Sequence, residues 1–66
     1  MRFSYNKLWK LLIDKNLSKK ELAEKSGISV TSVSKLSKGA NVNTDILLKI
    51  CIALNCDISD IVEIVK

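Results

Sequence analysis

The chain has no histidine, no proline, two glycines, two cysteines and one each of Trp, Tyr and Phe. Each scarcity closes off a class of protein. Without histidine, the commonest general base and the commonest metal ligand are both missing, and no imidazole-based triad can form. There are also no clustered carboxylates and no phosphate-binding glycine loop, so an enzyme is not expected. With only Gly27 and Gly39 and no proline, no linker divides the 66 residues, which read as one domain, 1–66. Cys51 and Cys56 are five positions apart. On a continuous helix, at ~100° per residue, they would lie ~140° apart and would not face each other unless the helix breaks between them. A redox or zinc role needs more ligands than the chain carries, so both read as small core residues. Apolar runs are cut by polar residues well short of a membrane span. Met1-Arg2-Phe3-Ser4-Tyr5 has no apolar signal-peptide region. The expectation is a cytoplasmic protein with reduced thiols, without cofactor, metal, membrane or small-molecule ligand.

What is present is hydrophobic residue, at 47%, and uneven charge. Residues 1–44 hold nine Lys/Arg against three Asp/Glu, whereas residues 45–66 hold two against four. A basic front with an acidic remainder points to a polyanionic partner held by the front.

The apolar residues recur with helical period. Around 5–15, Tyr5, Leu8, Trp9 and Leu12 share a face behind Ser4 as cap. Around 19–26, Ser18 and Glu21 make a capping box, Leu22 and Ala23 face inward, and Gly27 ends the helix. Around 30–38, Ser29 is the cap and Val33 and Leu36 are the anchors, with Ile28 just before. Thr31, Ser32, Ser34, Lys35, Ser37 and Lys38 make this helix too polar and too short to hold alone. Around 44–54, behind Asn43, Leu47, Ile50, Cys51 and Leu54 form an inward stripe. A fifth helix is expected around 58–65 behind Asp57, with Ile58, Ile61 and Val62 inward and Asp60 at its third position. No strand is expected, because two-residue alternation is only fleeting. The expected fold is all-α, with five short helices.

The segment KKELAEKSGISVTSVSKL, residues 19–36, has the spacing of a helix-turn-helix. Ala23 is small where a second helix must cross closely. Gly27 tolerates the positive φ of a sharp turn. Val33 and Leu36 tie the second helix down and leave its other face free for a major groove.

With this segment the chain resembles the phage-repressor and Cro-type helix-turn-helix family, also called the Xre family. Its beginning, YNKLWKLL, and its end, LNCDISDIVE, are similar to those of short stand-alone bacterial members, so the likeness covers residues 5–63. The resemblance implies a compact lambda-repressor-like domain with its motif at about 19–38. It also implies a transcriptional regulator that binds double-stranded DNA in a sequence-specific way. By the same resemblance, Lys19 touches phosphate or a flanking base, Ser29 touches phosphate, Val30 and Thr31 read base edges, and Lys35 takes a further base-reading position with Ser34 beside it. Lys38, Asn41 and Asn43 then grip the backbone. The plainer alternative for Lys35 and Lys38 is that they are solubility lysines. Val30 and Thr31 stand where the family often has glutamine or arginine, and they offer methyl contact and one hydroxyl instead of bidentate bonds. Affinity is therefore expected to lean on phosphates.

Ile46, Leu48, Ile52, Ile64 and Val65 exceed what so small a core needs. They form the expected homodimer interface on helices four and five, as the resemblance to a family of two-fold dimers implies. The alternative reading is a protein-protein module, antitoxin-like or anti-repressor, that keeps the fold without reading DNA.

Overall fold

A computed structural model describes residues 2–66. The elements run β1 (Arg2–Ser4), α1 (Asn6–Asp14), α2 (Lys19–Ser26), α3 (Val30–Ser37), α4 (Thr44–Leu54), a 3-10 turn (Ile58–Asp60) and β2 (Glu63–Val65). Local chemistry sets most of the boundaries. The Ser18 hydroxyl accepts the Glu21 amide at 3.1 Å, and the Glu21 carboxylate accepts the Ser18 amide at 3.1 Å. The Ser29 and Asn43 side-chain oxygens accept the third amide of α3 and α4, at 3.1 and 3.0 Å. The helices end where left-handed residues stand: Asn16, Gly27, Gly39 and Asn55 all have positive φ.

The core is one cluster: Tyr5, Leu8, Leu12, Leu22, Ala23, Ile28, Val33, Leu36, Ile50, Leu54 and Ile61. Trp9, expected inside, is half-buried and packs against this cluster from its edge. α2 lies against both α4 and α3, while α1 and α4 hold the 3-10 turn. Lys7 Nζ donates to the Ser59 carbonyl at 3.3 Å, which fastens that turn to α1. Among the described residues, no buried side-chain nitrogen or oxygen lacks a partner.

The helical class stands, but the helix count does not. The expected fifth helix is only the 3-10 turn Ile58–Asp60, after which the chain extends into β2. β2 pairs antiparallel with β1, in the register Arg2↔Val65, Phe3↔Ile64 and Ser4↔Glu63. The reason is physical. Ile61, Val62, Ile64 and Val65 are β-branched and stiff at χ1, which suits a pleated strand. The amino-terminal residues supply the pairing edge, and Ile61, fully buried, pins the turn into the core. Ile58, expected inward, is 50% exposed as a consequence.

Candidate nucleic-acid interface

α2, the turn Gly27–Ser29 and α3 build the helix-turn-helix. Gly27 has φ 75°, and its amide donates to the Ala23 carbonyl at 2.9 Å. No atom lies within 4 Å of where a β-carbon would sit, so the dihedral angle demands glycine here, and crowding does not. Ala23 and Val33 are buried where the two helices meet. Between them a groove of about 290 Å³ is lined by Lys19, Lys20, Ala23, Val30 and Val33.

α3 is divided lengthwise. Val33 and Leu36 are buried, whereas Thr31, Ser34, Lys35 and Lys38 are exposed. These four sit at i, i+3, i+4 and i+7, so they form one stripe. Val30 begins the helix 73% exposed, an apolar group open to solvent. The Ser29 Oγ also shares a hydrogen bond with the Ser32 Oγ at 3.1 Å, which commits that oxygen to the cap. The Asn43 Oδ1 is likewise committed, and its carboxamide nitrogen is left as a donor. Asn41 is exposed between the two. The loop carrying Asn41 is fixed at its start. The Tyr5 hydroxyl donates to the Ala40 carbonyl at 3.2 Å, and the Ala40 amide to the Lys35 carbonyl at 2.9 Å.

All nine residues expected at the interface are therefore exposed, on α3, on its two flanks and at the start of α2. Lys19 is further ordered, because its ammonium lies 4.6 Å from the centroid of the Trp9 ring. Two basic neighbours were not among the nine. Lys20 lines the α2–α3 groove. Arg2 borders a groove with Phe3, Gly39, Asn41 and Ile64, beside the loop that follows α3. The charge count included Arg2, but only the pairing of β1 with β2 shows where it lies.

The five residues expected at a dimer interface differ in exposure and lie on α4 and β2. Ile46 is half-buried and packs against the core, and Val65 is half-buried in β2. Leu48 and Ile52 stand out from α4 and line a groove with Ile58. Ile64 lines a different groove, with Phe3. With no fifth helix to align them, the apolar surplus divides between the α4 face and the ribbon.

No helix of the described residues is long and apolar enough to cross a membrane. No group of three or more His, Cys, Asp or Glu among them could hold a metal ion.

Comparison with known proteins bears on this geometry. A family described as the Cro/C1-type HTH DNA-binding domain matches residues 7–66. No curated protein matches the chain. Among solved structures, the transcriptional regulator VanUg is similar. Its TM-score is 0.90 at 55% identity, over 94% of this chain and 83% of that one.

Proposed function

The chain belongs to the Cro/C1-type helix-turn-helix DNA-binding family, and from that premise we propose that it regulates transcription by placing α3 in the major groove. It is a DNA-binding protein and not an enzyme, and the VanUg likeness supports a regulator. The observation that carries the reading is the exposed stripe Thr31–Ser34–Lys35–Lys38 on a helix whose other side is anchored by Val33 and Leu36.

The roles follow from chemistry. Lys35 is the strong donor toward a base edge or a phosphate. Val30 and Thr31 offer methyl groups to thymine, and Thr31 and Ser34 offer hydroxyls. Lys19 and the Ser29 backbone meet phosphates at the starts of α2 and α3, where helix amides favour anions. Lys38, Asn41 and the Asn43 amide group hold the backbone at the far end. The chain measures 30 × 23 × 17 Å. Two half-sites one turn apart are separated by ~34 Å, more than one copy spans, so a palindromic site calls for two copies. Leu48 and Ile52 on α4, or Phe3 and Ile64 on the ribbon, are the apolar faces open to that contact.

The exposed α4 face also keeps a second reading in play, in which the chain docks on another protein. Capturing genomic fragments at physiological salt tests the first reading. The wild type is expected to retain a discrete set of fragments. Lys35→Ala combined with Lys38→Ala is expected to lose them by about tenfold or more in affinity, with an unchanged melting temperature. Retention unaffected by the double substitution, alongside a stable protein complex, would favour the second reading.

A further inference from the structure

The DNA-binding reading uses neither cysteine. A continuous helix would have pointed them apart, but α4 does not continue. Asn55 takes φ 53°, and the Cys56 amide turns back to the Cys51 carbonyl at 3.0 Å. In this type of helix ending, the side chains six positions apart by inclusive count meet, and the contact is ordinarily apolar. Here both members are thiols, both free and half-buried. They line one groove with Leu48, Ile52 and Ile58. Cys56 also borders a second groove, with Lys7, Lys10 and Asp14.

We propose that Cys51 and Cys56 form a dithiol site that reacts with low-molecular-weight disulfides and closes to an intramolecular disulfide while the chain stays folded. In the first step one protein thiolate attacks the reagent, whose S–S bond breaks. A mixed disulfide forms and one reagent thiolate leaves. In the second step the other protein thiolate attacks the protein sulfur of that mixed disulfide, and the second reagent thiolate leaves. The two protein thiols lose two electrons. The reagent disulfide gains them and, with the two protons released, departs as two thiols. A half-turn reversal with the backbones already joined by a hydrogen bond keeps the two sulfurs within reach of a bridge.

The surroundings set the pace of these steps. Burial pushes both thiols above their ordinary range, and the Asp60 carboxylate adds to this at each; Asp57 also acts on Cys51. At Cys56 the neighbouring Cys51 adds to the upward push, and Lys15 offsets it only in part. Thiolate is scarce at neutral pH, and exchange is slow there and quickens as pH rises.

The test is to expose the folded, reduced protein to oxidised glutathione at about pH 8.5 and follow it by intact-mass spectrometry. The expected product is two hydrogens lighter than the starting chain, with little glutathionylated species accumulating. Cys51→Ser and Cys56→Ser should each stall at one mixed disulfide, and alanine at either position should give the same readout. Closure should be about tenfold or more faster in buffer than in denaturing guanidinium, because the folded turn raises the effective concentration of one thiol at the other. Doubly glutathionylated chains, disulfide-linked dimers, no reaction, or equal rates folded and unfolded would each overturn the proposal.

Discussion

Lys19 shows how a single side chain is prepared before any partner arrives. Its ammonium rests 4.6 Å from the Trp9 centroid, which holds one long cation where the start of α2 meets solvent. An exposed cation–π contact is worth ~0.5–1 kcal/mol, or roughly a two- to fivefold effect. Trp9→Leu is therefore expected to weaken DNA binding by about that factor, measured by fluorescence anisotropy. In a Lys19→Met background the same substitution should have no further effect on affinity. If it weakens binding equally in both backgrounds, Trp9 acts through packing alone. At Gly27 the requirement is dihedral. Gly27→Ala meets no neighbour but must hold φ 75°, at a cost of ~1–2 kcal/mol, visible as a lower urea midpoint.

Titration also belongs to the residue scale. Burial raises Tyr5, and burial chiefly raises Cys51 and Cys56. A raised acid keeps its proton longer when folded than when unfolded. The stability it contributes is complete below the unfolded value and is lost as pH climbs through the folded one. Urea unfolding should therefore show stability falling from about pH 8.5 upward, with a further loss above about pH 10. Replacing both cysteines by alanine should remove the earlier part of that fall, and Tyr5→Phe the later part.

At the scale of elements, much was legible in the sequence. Ser18, Ser29, Asn43 and Gly27 are local signals, and each produced the helix end it implied. Ser4 did not, since Tyr5 stands at the start of α1 with no side-chain cap. The i, i+3, i+4 stripes became buried faces whose edge members Trp9, Leu47 and Cys51 are half-buried. The ribbon was not legible, because each strand has three residues and its partner lies at the opposite end of the chain. Alternation cannot show over three residues, and pairing across some 60 positions leaves no local trace. The Trp9–Lys19 and Cys51–Cys56 contacts were hidden for the same reason: each depends on where the chain bends between elements. Ile61 marks where helix expectation gave way. It is fully buried under the turn that turns the chain into β2. Ile61→Ala should cost about 2–5 kcal/mol. A core of this size supplies only ~3–5 kcal/mol, so thermal melting should show a largely unfolded population at 25 °C or a midpoint many degrees lower.

At the scale of the molecule, charge and shape divide the labour. Six of the nine basic residues of the first two-thirds lie on β1, on α2, or on and just after α3, while Lys7, Lys10 and Lys15 lie on or just after α1 and Asp45, Asp57 and Asp60 lie on or after α4. Such a division orients the chain as it approaches a polyanion. Four to six phosphate contacts per chain predict a log–log salt slope of roughly −4 to −5. A slope near zero with sharp sequence discrimination would contradict the reliance on phosphates. The apolar faces left open by the fold predict two copies on a palindromic site. Sedimentation should find a dimer on such DNA, and a monomer both free and bound at micromolar concentration would exclude it.

The central claim is that the α3 face, with its two flanks, meets the DNA. The most direct test is an amide chemical-shift titration of the labelled protein with a duplex it retains at physiological salt. The predicted shifts cluster at Lys19, Ser29 to Lys38, Asn41 and Asn43, while the amides around Cys51, Cys56 and Ile58 move little. Shifts confined to the outer face of α4 or to the ribbon, with α3 unmoved, would contradict the account.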